Sequence, residues 1–208
     1  MGVSAAPRRI GLFGGAFDPP HLAHAALVRA AMAQLHLDAL HVLPTGQAWH
    51  KTRTLSAAHH RLAMARLAFA DPPGVVVDDR EIRRPGPTYT IDTLRELQAA
   101  EPGASLVLVI GTDQAAALPR WRDWQEIVKI AIISVADRDQ MTGAKGQFDL
   151  ENVPGVRLQP LNLPAMPISA TAIRDQIAAG PDGLKRVAHL VAPGVARYIE
   201  HHHLYQTA

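Results

Sequence analysis

The sequence predicts an α/β fold, a doubly wound parallel sheet with a helical cap at the C-terminal end. Three observations predict it. Over the first two thirds of the 208 residues, short β-rich runs alternate with helix-like stretches, the pattern of successive βαβ units. Two runs, 106–110 and 130–135, are almost continuously apolar, as strands covered on both faces are. Beyond Pro167 the pattern turns helical to the end.

In chain order, residues 9–13 read as a strand ending at Gly14-Gly15, and 21–35 as a helix whose apolar side includes Leu22, Ala26, Val28 and Leu35. Residues 39–43 form a second strand, followed by a loop over 44–55. A helix over 57–70 and a strand over 74–77 come next. Ile91, Leu94 and Leu97 share one side of a helix over 90–100. Residues 137–150 mix Gly, Gln, Asp and Lys without periodicity and read as a mobile loop. Ser169 is placed as an N-cap, Ile168 and Ile173 as a hydrophobic staple, and Gly180-Pro181 as the stop of that helix. The chain reads as one domain over 1–208, with a core over about 8–136 and a C-terminal helical part over about 167–205.

Composition narrows the function. There is no cysteine, which removes disulfides, thiolate metal sites and thiol catalysis together. The net charge is +2, with no run of like charges and no basic helix face, so no nucleic-acid partner is expected. No apolar run approaches the roughly 18 residues of a membrane span, and Met1–Ala6 lacks the regions of a signal peptide, so no membrane association is expected and the cytoplasm is. Oligomeric state is not readable from the sequence.

The strongest local signal runs from Gly11 to His24. A strand ends in Gly14-Gly15, where a missing side chain lets a ligand approach the backbone. Ala16, Phe17, Asp18, Pro19 and Pro20 then lead into a helix, with Asp or Pro where helix starts prefer them. His21 and His24, three apart, share a face of the first turn, beside free backbone N–H groups and the positive end of the dipole. Imidazoles converging with N–H donors at a sheet's carboxyl edge suit phosphate. Taken singly, the glycines fit a tight turn and the histidines fit a metal pair. However, no third ligand follows at a standard spacing, so no metal site is expected, and the loop lacks the G-x-G-x-x-G of dinucleotide folds.

The second signal is Ser169-Ala170-Thr171-Ala172-Ile173-Arg174. A cation near a helix N-terminus opposes the dipole, and an anion gathered by Ser169, Thr171, N–H groups and Arg174 would reverse that penalty. The competing reading is a capped surface helix with a solvated arginine.

Together these motifs resemble those of the (T/H)xGH-type nucleotidyltransferase superfamily, with HxxH after the first strand and an ISSTxIR-like segment near the C-terminus. The chain further resembles the bacterial nicotinate mononucleotide adenylyltransferase family. Pro87-Thr88-Tyr89-Thr90-Ile91-Asp92-Thr93-Leu94 is similar to that family's PSYTIDTL segment, and Ile110-Gly111-Thr112-Asp113, Leu118-Pro119-Arg120-Trp121 and Tyr198-Ile199…His203-Leu204-Tyr205 also fit. These matches span Gly11 to Tyr205.

The resemblance implies a Rossmann-like nucleotidyltransferase domain that joins nicotinate mononucleotide to the AMP part of ATP, releasing pyrophosphate. It implies catalytic roles for His21, His24 and Arg174. Gly14, Gly15, Ala16, Phe17, Ser169, Thr171, Gly111 and Asp113 would bind ATP and its phosphates. The nicotinate would be received by the hydroxyl of Thr90, as cap of the helix starting at Ile91, and by nearby backbone N–H groups such as that of Ile91, and stacked on Trp121. Taken alone, Thr90 fits an ordinary N-cap, Asp113 another, and Trp121 a core tryptophan, while Trp124 belongs with the core. Mg2+ would arrive with the triphosphate, since no carboxylate cage is visible. Trp49-His50-Lys51 sits where the family varies, and Lys51 is a candidate phosphate contact. Ala16, Ala23 and Ala170 depart from the family's Thr or Ser, Gly and Ser, removing two hydroxyls while leaving the backbone donors. Those departures are the one feature favouring a non-catalytic nucleotide sensor.

Overall fold

The computed structural model describes residues 6–47, 55–137, 150–164 and 166–206. The chain runs β1 (Arg9–Gly15), α1 (Leu22–Gln34), β2 (Ala39–Pro44), α2 (Ala58–Ala68), β3 (Val75–Val77), α3 (Arg80–Arg83), α4 (Thr90–Ala100) and β4 (Ser105–Gly111). It continues through α5 (Thr112–Ala117), α6 (Trp124–Ile130), β5 (Ala131–Asp137), β6 (Leu158–Asn162), α7 (Ala170–Ala178), α8 (Gly183–Val187) and α9 (Pro193–His201). The strands form one six-stranded sheet, all parallel, in the order β3-β2-β1-β4-β5-β6. That order is Rossmann-like and doubly wound, the fold class expected from the sequence, although no strand order is readable there.

Period-two alternation sorts the core into two layers. Leu106, Leu108 and Ile110 of β4 meet Ile91, Leu94 and Leu97 of α4 and Ile127 of α6 on one face. Val107 and Val109 belong to the opposite layer, with Val28 and Ala31 of α1 and Ala65 of α2. A third cluster joins Met64 of α2 to Ile173 and Ile177 of α7, Val187 of α8, and Val195 and Ile199 of α9. The C-terminal cap therefore packs on α2. Between β1 and β4 the chain reverses its direction of winding, which opens a crevice at their carboxyl ends.

The structure moves several expected boundaries. The fifth strand begins at Ala131 because Ile130 closes α6. β6 was not expected: Pro160 lies inside it, and a proline is tolerated because β6 is an edge strand. α3 was not expected either, its single turn being too short to show periodicity. The helical end is three short helices, broken at Gly180-Pro181 and Pro193, with a 3-10 turn at Ala188–Leu190. Most of the predicted 137–150 loop lies outside the described residues.

Candidate active site

A cleft of about 350 Å³ opens at the carboxyl ends of β1 and β4. Of the predicted residues, Gly14, Gly15, Ala16, His24, Thr90, Gly111, Asp113 and Trp121 line it. Phe17, His21, Ile91, Ser169, Thr171 and Arg174 are not among its lining residues. The cleft is thus walled by residues of the first motif and of the segments over 88–93 and 110–122.

The glycines differ in what they do. A Cβ on Gly15 would come 2.9 Å from the Phe17 ring, so this glycine serves packing. A Cβ on Gly14 would meet nothing nearer than 4.0 Å, and one on Gly111 nothing within 4 Å. Their missing side chains leave room in the cleft. Phe17 adopts φ +48, a strained backbone for a side chain of its size. Burial of its ring against Phe13 (5.4 Å) and Phe69 (5.3 Å) offsets that strain.

α1 begins at Leu22, one residue later than the sequence suggests, because His21 is its N-cap with extended φ and ψ. Neither Asp18 nor a proline takes that place. His24 is the third helical residue, and its Nδ1 accepts the backbone N–H of His21 at 3.2 Å. Since Nδ1 accepts, the proton of neutral His24 is assigned to Nε2. The rings of His21 and His24 stack with centroids 3.7 Å apart, and Phe17 packs its ring edge-on to His24 at 5.3 Å. The His24 imidazole is therefore oriented from three sides, with a donor nitrogen on a cleft-lining residue.

Arg174 reaches the loop before α1. Its Nη1 donates to the carbonyl of Asp18 at 2.7 Å, and its Nη2 to Thr171 Oγ1 at 3.0 Å. Ser169 is the N-cap of α7, accepting from the Ala172 N–H at 3.5 Å, and Ile173 is buried beneath it. The C-terminal motif thus approaches the histidine-bearing loop, as the sequence requires.

At the start of α4 the structure corrects one expectation. Tyr89, not Thr90, is the N-cap of α4, and Thr90 is its first helical residue. Ile91 is the second residue of α4; its side chain is buried in the core, which leaves the role expected of its backbone N–H untouched. Thr90 and Trp121 do line the cleft, with Arg122 beside them and its guanidinium 4.8 Å from the centre of the Tyr89 ring. Asp113 is the second residue of α5, whose cap is Gly111, so the N-cap alternative for Asp113 falls away. Lys51 and its neighbours Trp49 and His50 lie outside the described residues. Among the described residues, no group of three or more His, Asp or Glu is placed to hold a metal ion.

Four residues near the site have no site role in the sequence, although Asp18 and Tyr205 fall within its motifs. Arg61, 2% exposed, donates to the carbonyls of Ser56 (2.9 Å), Ala16 (3.1 Å) and Gly46 (3.3 Å), tying three loops together. Its signal was a charged residue on the apolar side of a helix that also carries Met64 and Ala65. Glu81 is buried in the cleft wall and accepts from Thr93 Oγ1 at 2.9 Å. Burial raises its carboxyl above the ordinary range, against the pull of Thr93 and Arg84. Asp18 and Tyr205 are the other two, joined by a hydrogen bond of 2.7 Å.

A cytidylyltransferase-like family model matches residues 12–176. The chain is 61% identical to an Albidiferax ferrireducens protein named as a probable nicotinate-nucleotide adenylyltransferase, over 97% of this chain and 100% of that one. It is 45% identical to a Methylibium petroleiphilum protein of the same name, over 98% and 95%. Among solved structures, a Plasmodium falciparum nicotinic acid mononucleotide adenylyltransferase complexed with NaAD superposes with a TM-score of 0.77 at 20% identity, over 95% of this chain and 97% of that one. This last likeness bears on the fold.

Proposed function

Given that the chain belongs to the cytidylyltransferase-like family and, within it, to the nicotinate-nucleotide adenylyltransferases, we propose that it transfers the adenylyl group of ATP to nicotinate mononucleotide. The products are nicotinate adenine dinucleotide and pyrophosphate, a step of NAD biosynthesis. The observation that carries this reading is the meeting of Arg174 with the loop before His21, 156 residues away in sequence, together with a cleft lined by His24, Thr90 and Trp121.

The nucleophile is a phosphate oxygen with a second pKa of about 6, already anionic near neutral pH, so no strong base is required. The protein's task is to align anions and stabilise charge at the α-phosphate. His24 Nε2–H donates to the reacting α-phosphate, with His21 on neighbouring oxygens. The backbone of residues 14–17 approaches the triphosphate where Gly14 leaves space. Arg174, Ser169 and Thr171 take the β/γ end, and Asp113 accepts from a ribose hydroxyl. The N-terminus of α4, with the Thr90 hydroxyl, receives the nicotinate carboxylate. Trp121 stacks on the pyridine ring. ATP enters as its magnesium complex, the ion being part of the substrate. Among the described residues no helix is long and apolar enough to cross a membrane.

The test is pyrophosphate release from magnesium ATP, offered nicotinate mononucleotide and its amide in parallel. Turnover with preference for the acid is expected, and chelation of magnesium stops it. Tight ATP binding by calorimetry without turnover on either acceptor replaces this reading with the nucleotide sensor that Ala16, Ala23 and Ala170 would suit.

A further inference from the structure

The C-terminal Leu204-Tyr205 pair has no part in the chemistry above, yet the tail is wound back onto the molecule. His203 N–H donates to Glu200 O at 3.2 Å and Leu204 N–H to Ile199 O at 3.1 Å, folding the chain over the end of α9. Two non-glycine residues in this short stretch adopt positive φ, His203 at +48 and Tyr205 at +66. Such backbones are costly for L-residues and persist where surrounding contacts over-determine them.

The contact made here is specific. Tyr205 Oη donates to Asp18 Oδ1 at 2.7 Å, across 187 residues. Asp18 is 2% exposed, and its Oδ2 accepts the Ser56 N–H at 3.2 Å. Its main-chain carbonyl takes Arg174 Nη1 at 2.7 Å. Two residues earlier, the carbonyl of Ala16 takes Arg61 Nη1 at 3.1 Å. Burial, and then the charge of Asp18, push the Tyr205 hydroxyl far above the ordinary tyrosine range, so it remains a donor at neutral pH. A buried carboxylate is held by such donors, and the Tyr205 hydroxyl is one of those that fix Asp18 beneath the loop.

We propose that Tyr205, acting through Asp18, is a positioning residue for the transfer reaction: the C-terminal tail holds the loop before His21 and His24 in register with the guanidinium of Arg174. The inference rests on the reading of His24 and Arg174 as phosphate-facing groups. It predicts that the tail sets the grip on the triphosphate and leaves the pyridine end of the cleft unaffected.

The test compares Tyr205→Phe with Leu204→Ala in the full chain. Leu204 packs in the cap cluster, so its truncation loosens the cap while sparing the hydroxyl. Tyr205→Phe is expected to lower kcat/KM for ATP about tenfold, the scale of one hydrogen bond to a charged group, and to change KM for nicotinate mononucleotide less than twofold. Leu204→Ala should lower the melting temperature more and leave KM for ATP within twofold. The proposal is overturned if Tyr205→Phe keeps kcat/KM for ATP within twofold of the parent, or if Leu204→Ala reproduces the same selective loss. Should the parent chain not turn over, the proposed function fails separately. The tail is then judged by calorimetry with ATP: a tenfold weaker Kd in Tyr205→Phe supports the positioning role, and an unchanged Kd overturns it.

Discussion

Replacing His24 by Asn separates the two jobs the structure gives this side chain. Nδ1 caps α1 by accepting the His21 N–H at 3.2 Å, while Nε2 carries the proton that the proposed reading gives to the α-phosphate, on a residue that lines the cleft. Asn carries an oxygen at the position of Nδ1 and nothing at that of Nε2, so the cap persists and the donor is lost. What the fold loses is the stack on His21 at 3.7 Å and the edge contact with Phe17 at 5.3 Å, together on the order of 1 kcal/mol. For a chain of this size that is a fall of roughly 2–4 °C in melting temperature. What the reaction loses is a preorganised donor to the charge developing on the α-phosphate, about 3 kcal/mol or 100- to 1,000-fold in kcat. The assay is pyrophosphate release at saturating substrates, paired with a thermal melt of the same preparation. A variant that keeps more than a tenth of the parental kcat, at whatever melting temperature, refutes the role given to His24.

Two further predictions concern charge. Asp78 accepts from His41 Nδ1 at 2.8 Å and from Arg80 Nε at 2.8 Å and N at 3.0 Å. Burial alone would raise its carboxyl, and these partners outweigh it, holding the group at about 2. A folded value below the unfolded one gives stability that is complete above about pH 4 and lost as pH falls towards 2, roughly 2 kcal/mol in all. Urea unfolding across that window should show the loss in the parent and its absence in Asp78→Asn; parallel curves contradict it. Glu81 has the opposite sign, since burial raises its carboxyl, so stability falls as pH climbs above its ordinary value of 4.5. Glu81→Gln keeps an acceptor for Thr93 and should melt above the parent at pH 7 and level with it at pH 4. A variant that melts lower at both values removes this account of Glu81.

The sequence by itself determined the layered sheet, because the alternation that puts Leu106, Leu108 and Ile110 on one side and Val107 and Val109 on the other is a local property of a strand. It also determined the His21–His24 turn and the Ser169 cap, which depend on neighbours within four residues. It misplaced the cap of α4 by one residue. Thr88 pairs with Thr45 and with the carbonyl of Gln47 from the first half of the chain, and the backbone stays extended through Tyr89. β6 was hidden by Pro160, since only its position at the sheet edge makes that residue acceptable. The burial of Arg61 and Asp18, and the return of Tyr205 to the loop before α1, were decided by tertiary structure alone. Those charges are satisfied by carbonyls, N–H groups and a hydroxyl drawn from loops far apart in the chain, and local periodicity carries no record of a partner 187 residues away.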